Sequence, residues 1–201
     1  PRAGGKPDSL VIFLHGYGAD GNDLIGLSQY WADALPRTAF VSPNAPFPFE
    51  MAPFGRQWFS LADRSDEAMA NGVLAAAPIL NSYIDDELKR AGLPPERLAL
   101  VGFSQGTMMS LHVAPRRPQA FAAVVGYSGR LAAEDTLAAE IKSRPPFFLA
   151  HGTEDPVVPF DSLAQAERAL ERLAHVALEV HRRVWIGVEP GSGREGLFRH
   201  R

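Results

Sequence analysis

A chain of 201 residues, 46% hydrophobic and 21% charged, has the make-up of one soluble domain spanning 1–201 and can bury roughly 70% of its unfolded surface. It has no cysteine, which excludes disulfides and thiolate metal sites, and a formal net charge of −3 offers no footprint for nucleic acid. No apolar run approaches the roughly 20 residues that span a bilayer, and the polar start, Pro1 to Ser9, lacks the apolar core of a signal peptide; a cytoplasmic location is expected.

In chain order, Leu10 to Leu14 is a continuous apolar run ending in His15-Gly16, the pattern of a strand buried on both faces of a parallel sheet. Asp20 to Leu35 reads as an amphipathic helix and Ala39 to Val41 as a second strand. Pro43 to Phe59 is rich in proline and aromatics without a clean period, so it reads as a long irregular loop. Its four Phe and Trp58 need burial or a ligand, and two readings follow: a loop packed on the core, or an apolar wall for an acyl chain. Asn71 to Ala91 is a longer helix that Pro78 is expected to kink. Strands at Leu98 to Val101, Phe121 to Val125, Phe147 to Ala150 and Val176 to Val180 then alternate with helices at Gln105 to Ala114, Ala132 to Ile141 and Asp161 to Ala174. The alternation predicts an α/β fold, a mostly parallel central sheet with helices on both faces. Ligands in such sheets bind beyond the carboxyl ends of the strands, which singles out the loops after Leu14, Val101 and Ala150.

The most informative of these loops is Gly102-Phe103-Ser104-Gln105-Gly106, set between an apolar strand and a helical pattern. A G-x-S-x-G turn from strand to helix is sharp and strained, and holds its serine out at the strand end. The helix that follows offers its first N–H groups to a developing negative charge. Ser104 is therefore the candidate nucleophile, and it needs a base, an acid to orient that base, and donors for the oxyanion. The donors expected of this geometry are the N–H of Gln105 and one from the loop His15-Gly16-Tyr17-Gly18, with Tyr17 the candidate. His15 is read as a brace for that loop. Asp155, in His151-Gly152-Thr153-Glu154-Asp155-Pro156, follows the serine near a strand end, and Pro156 stiffens its turn; it is the candidate acid, with Glu154 and Asp161 as competitors. His151 is read as structural, and His112 and His175 as bystanders.

The combination LHGYGADGNDL, GRQWFS, GFSQG and HGTEDPVVP resembles the phospholipase/carboxylesterase family of α/β-hydrolases, from about Leu10 to about Leu178. The resemblance implies an α/β-hydrolase fold and hydrolysis of a small-molecule carboxylic ester or thioester. It implies Ser104 as nucleophile, Asp155 as acid, and the backbone of Tyr17 and Gln105 as oxyanion hole. The acyl pocket would be lined around Trp58 and Phe59 and by Val158. No metal and no organic cofactor is implied.

The general base departs from the family pattern. The family carries a segment like G-x-G-H-S-I-x-x-E-G-L near its C-terminus, and here Gly187 and Glu195-Gly196-Leu197 fit it without a gap, which sets Pro190 at the histidine position. Proline can neither take nor give a proton through its side chain. Three explanations stand: compensating reading-frame errors across Val188 to Arg194; a base supplied by His181 or His200; or an impaired hydrolase that keeps its pocket and turns over slowly. The family's last helix is expected to be missing, and the apolar surface so left would favour a homodimer.

Overall fold

The computed structural model describes residues 1–174 and 178–183. The chain runs β1 (Ser9–Leu14), α1 (Gly21–Ile25), α2 (Ser28–Trp31), β2 (Thr38–Val41), β3 (Phe47–Pro48), β4 (Arg56–Gln57), α3 (Asp66–Ala91), β5 (Leu98–Phe103), α4 (Gln105–Val113), β6 (Ala123–Tyr127), α5 (Glu134–Glu140), β7 (Phe147–Gly152), α6 (Asp161–Ala169) and β8 (Leu178–Arg183). Six strands form one sheet in the order β2-β1-β5-β6-β7-β8, and every neighbouring pair in it is parallel. This is the α/β arrangement the alternation of strands and helices predicts.

Side chains alternate across the sheet, and β1, β2, β5 and β6 feed two cores. Leu10, Ile12 and Leu14 of β1 join Leu98 and Leu100 of β5, Val124 of β6 and Leu149 of β7 in the larger core, closed by residues such as Ile84 of α3, Met109 of α4 and Leu163 of α6. Val11, Phe13 and Val101 point the other way, against Leu24 and Ile25 of α1 and Trp31 of α2. The Phe13 ring lies 5.4 Å from that of Trp31.

Several boundaries differ from the sequence pattern for local reasons. The expected Asp20 to Leu35 helix is two short ones, parted at Gly26, which caps α1. Helix α3 starts five residues before Asn71 because Ser65 accepts a hydrogen bond from the Ala68 N–H, and Asp66 and Glu67 suit the positive end of the helix dipole. It passes Pro78 without a break, that residue sitting on the exposed side of the helix. The Pro43 to Phe59 loop holds a small antiparallel hairpin, β3 with β4, that its proline content hides. Strand β6 begins at Ala123 rather than Phe121, whose ring is buried beneath the Arg117 guanidinium. Helix α6 continues as a wider π-type turn over Leu170–Ala174. No helix among the described residues is long and apolar enough to cross a membrane. The expected loss of a last helix falls on residues outside the described ones.

Candidate active site

Strand β5 ends at Phe103, and Ser104 turns the chain straight into α4 with φ 51° and ψ −115°. A left-handed φ at a residue with a side chain costs on the order of 1–3 kcal/mol and persists only where its surroundings enforce it. The surroundings here are backbone: the Ser104 N–H donates to Tyr127 O at 2.9 Å, and Ser104 O accepts from Met108 N at 3.1 Å. Close packing at the turn demands its glycines. A Cβ on Gly106 would run into the Leu14 carbonyl, and one on Gly102 would meet the Thr107 nitrogen at 2.5 Å. Ser104 itself is half-buried, beside the exposed ring of Phe103.

The loop after β1 backs onto this turn, with Gly16 packed against Phe103 and Ser104. His15 is fully buried and spends both ring nitrogens. Nε2 accepts from the Ala45 N–H at 2.9 Å, so Nδ1 carries the proton, donated to Gly16 O at 2.7 Å. Burial lowers its pKa, which keeps the ring a neutral brace. The Tyr17 phenol donates to Glu50, whose carboxylate also accepts from the Ser60 hydroxyl at 2.6 Å and the Leu61 N–H at 2.9 Å. The Ser60 hydroxyl first, and Tyr17 next, hold Glu50 down at about 2. Desolvation, then the hydrogen bond to Glu50, pushes the phenol up to about 12.

The irregular loop is fastened to the same place. The buried Gln105 side chain accepts from the Trp58 N–H at 2.8 Å and donates to Phe59 O at 2.8 Å. The Trp58 indole donates to His15 O at 3.1 Å, and the Arg56 guanidinium donates to Ala45 O and Pro46 O. Trp58 and Phe59, singled out as acyl-pocket walls, belong to the core, 2% and 5% exposed. Trp58 also borders a cavity with Pro43, Pro46, Ile79 and Tyr83. Gln105 thus couples an amide at the α4 N-terminus to this loop through its side chain, a link that the motif does not reveal.

After β7 the chain makes a tight turn at Asp155. One carboxylate oxygen accepts from the Val157 and Val158 N–H groups at 2.8 and 2.9 Å, and the other lies 3.5 Å from His151 Nε2. That nitrogen donates to Val158 O at 3.0 Å. Both side chains are almost wholly buried. The loops carrying Ser104 and Asp155 leave the same end of the sheet two strands apart, roughly 10 Å by ordinary strand spacing.

His181 lies on β8, three strands from β5, about 14 Å by the same spacing. Its ring stacks near Phe148, and Nε2 bonds Glu179 at 2.6 Å. His112 is buried on α4 with a hydrogen bond to the Ala132 backbone; burial first, and the Arg116 charge next, push its pKa down to about 4. His175, Pro190, His200 and the segment Val188 to Arg194 lie outside the described residues. Among the described residues, no group of three or more His, Asp and Glu is set to hold a metal ion.

Comparison with known proteins matches residues 2–188 to the profile of the phospholipase/carboxylesterase family. Acyl-protein thioesterase 1 of Schizosaccharomyces pombe is 34% identical over 162 residues, 75% of this chain and 70% of that protein. The crystal structure of esterase PE8 superposes with a TM-score of 0.87 at 41% identity, covering 92% of this chain and 86% of the other. Acyl-protein thioesterase 2 of Zea mays gives 0.65 at 23% identity over 92% and 89%, a likeness of fold.

Proposed function

From the premise that the chain belongs to the phospholipase/carboxylesterase family, we propose that it is a serine carboxylesterase or thioesterase with Ser104 as nucleophile. The observation that carries this is the strained backbone at Ser104, φ 51° at the end of a parallel strand. Strain of that kind clusters where a side chain must be presented to a substrate. The relatives named as thioesterases and as an esterase support the reaction class.

In this reading the Ser104 oxygen attacks the acyl carbon and its proton passes to a base. The carbonyl π electrons move onto the oxygen, held by the Gln105 and Tyr17 N–H groups. Collapse expels an alcohol or thiol, which takes the proton. Water then attacks the acyl-serine and releases the carboxylic acid. Asp155 is the acid that orients the base; two backbone N–H groups already fix one of its oxygens, leaving the other for an imidazole. Tyr17 is tied through its phenol to Glu50, which steadies its backbone.

A second reading has a specific observation behind it. His15 and His151 bond backbone oxygen or nitrogen through Nε2, and His112 is buried on α4. His181 Nε2 is engaged by Glu179, and the family pattern sets Pro190 at the base position. An impaired hydrolase that binds its ester and turns over slowly fits this pattern. Hydrolysis of p-nitrophenyl butyrate by the wild-type chain and by Ser104→Ala tests both. A wild-type rate at least a hundredfold above the variant supports the esterase. Equal rates reject Ser104 as nucleophile and leave the binding reading.

A further inference from the structure

We propose that Thr107, three residues after Ser104 and outside the expected catalytic set, is a positioning residue whose hydroxyl holds Ser104 in its strained conformation. The inference rests on Ser104 being the nucleophile.

The Tyr127 peptide groups carry the argument. Strand β6 pairs with β5 up to Phe103 opposite Tyr127. There β5 ends, because the chain bends at Ser104. The Tyr127 N–H and C=O form the last rung facing β5, where the regular ladder gives way to the bend. Thr107 reinforces that rung. Its hydroxyl donates to Tyr127 O at 2.8 Å and accepts from Tyr127 N at 3.0 Å, so its single proton and one lone pair are both used. Tyr127 O has a second lone pair, and that one accepts the Ser104 N–H at 2.9 Å. One carbonyl therefore ties the serine at the bend to the threonine one turn on. The hydroxyl fixes where that carbonyl points, and the carbonyl fixes Ser104.

The surroundings are shaped for this side chain. A Cβ on Gly126 would meet Thr107 Cγ2 at 2.6 Å, and a Cβ on Gly129 would collide with Thr107 Cβ. Thr107 is 2% exposed. Only a small cavity of about 10 Å³ adjoins it, bounded also by Leu149 and His151. Ser128, directly after Tyr127, is a second residue with a left-handed φ, 47°. The strain at positions 104 and 128 thus flanks the peptide that the hydroxyl grips.

Two isosteric changes separate the hydroxyl from the packing. Thr107→Val keeps the volume and removes the bonds; Thr107→Ser keeps the bonds and removes a methyl. The rate of covalent labelling by a fluorophosphonate is measured with amide hydrogen exchange at Ser104 and Tyr127. Thr107→Val is expected to slow labelling about tenfold to a hundredfold, the range for small misplacement of a reacting group, and to speed exchange at both amides. Thr107→Ser is expected within about threefold of wild type in both, although its Tm falls. Wild-type behaviour of Thr107→Val, or a slower Thr107→Ser than Thr107→Val, overturns the proposal. Should Thr107→Val fail to fold, a tenfold loss in Thr107→Ser overturns it, and wild-type labelling and exchange there support it. If the wild-type chain is not labelled, the nucleophile reading fails, and exchange at the two amides decides this inference alone.

Discussion

Acidification should destabilise this fold through His112, and the structure gives the size of the effect. The ring is 2% exposed on α4, and burial, aided by the Arg116 charge, lowers its pKa from 6.5 to about 4. In the unfolded chain it titrates near 6.5. Between those values the unfolded state binds a proton that the folded state refuses, so stability falls as pH drops through 6.5 and levels off below 4. A gap of about 2.5 units at about 1.4 kcal/mol each gives a full loss of about 3.5 kcal/mol, about 3 of it reached by pH 4. His15, also lowered by burial, adds to the wild-type slope in the same direction, so the contribution of His112 must be read as a difference. His112→Phe fills the site and cannot titrate. It forfeits the hydrogen bond to the Ala132 backbone, about 1 kcal/mol at any pH. Urea unfolding of both proteins from pH 7.5 to 4 is the assay. The variant should be the less stable at pH 7.5 and overtake wild type as pH falls, the gap moving by about 3 kcal/mol. Parallel curves would refute the assignment of a buried neutral ring at 112.

Other predictions concern the scaffold of the site. Gly106→Ala should cost about 3 kcal/mol or more in urea unfolding, because its Cβ meets the rigid Leu14 carbonyl rather than a movable side chain; a loss below 1 kcal/mol would contradict the close approach of α4 to β1. Tyr17→Phe and Glu50→Ala remove the two ends of one hydrogen bond. Their effects on ester hydrolysis should therefore be non-additive by about 0.5–1 kcal/mol in a double-mutant cycle, a size suited to an exposed charged bond. Additive effects would disconnect Glu50 from the Tyr17 loop.

The sheet was legible in the sequence because its central strands are short, largely apolar runs. Leu10 to Leu14 has no polar residue to expose and no length for a helix, and it forms β1. The turn at Ser104 was legible because two flanking glycines are needed wherever α4 crosses β1 so closely. Boundaries set by polar contacts were less so. The start of α3 depends on one hydroxyl cap at Ser65, which an apolar pattern does not register. The Pro43 to Phe59 loop was ambiguous because aromatic content alone does not tell a core wall from a pocket wall. Its place is decided by Gln105 and His15, which grip its backbone from elsewhere in the chain, and by Arg56, which ties the loop to itself. Glu50 and Thr107 went unmarked for the same reason: each works through a partner remote in sequence, Tyr17 or Tyr127.

The account stands on the Ser104 hydroxyl being an activated nucleophile at the end of β5. Intact-mass and peptide mapping after treatment with a fluorophosphonate test that directly. One adduct per chain, located on Ser104 and lost in Ser104→Ala, is expected. An unmodified chain under conditions that label a known serine esterase, or an adduct at another residue, would contradict it.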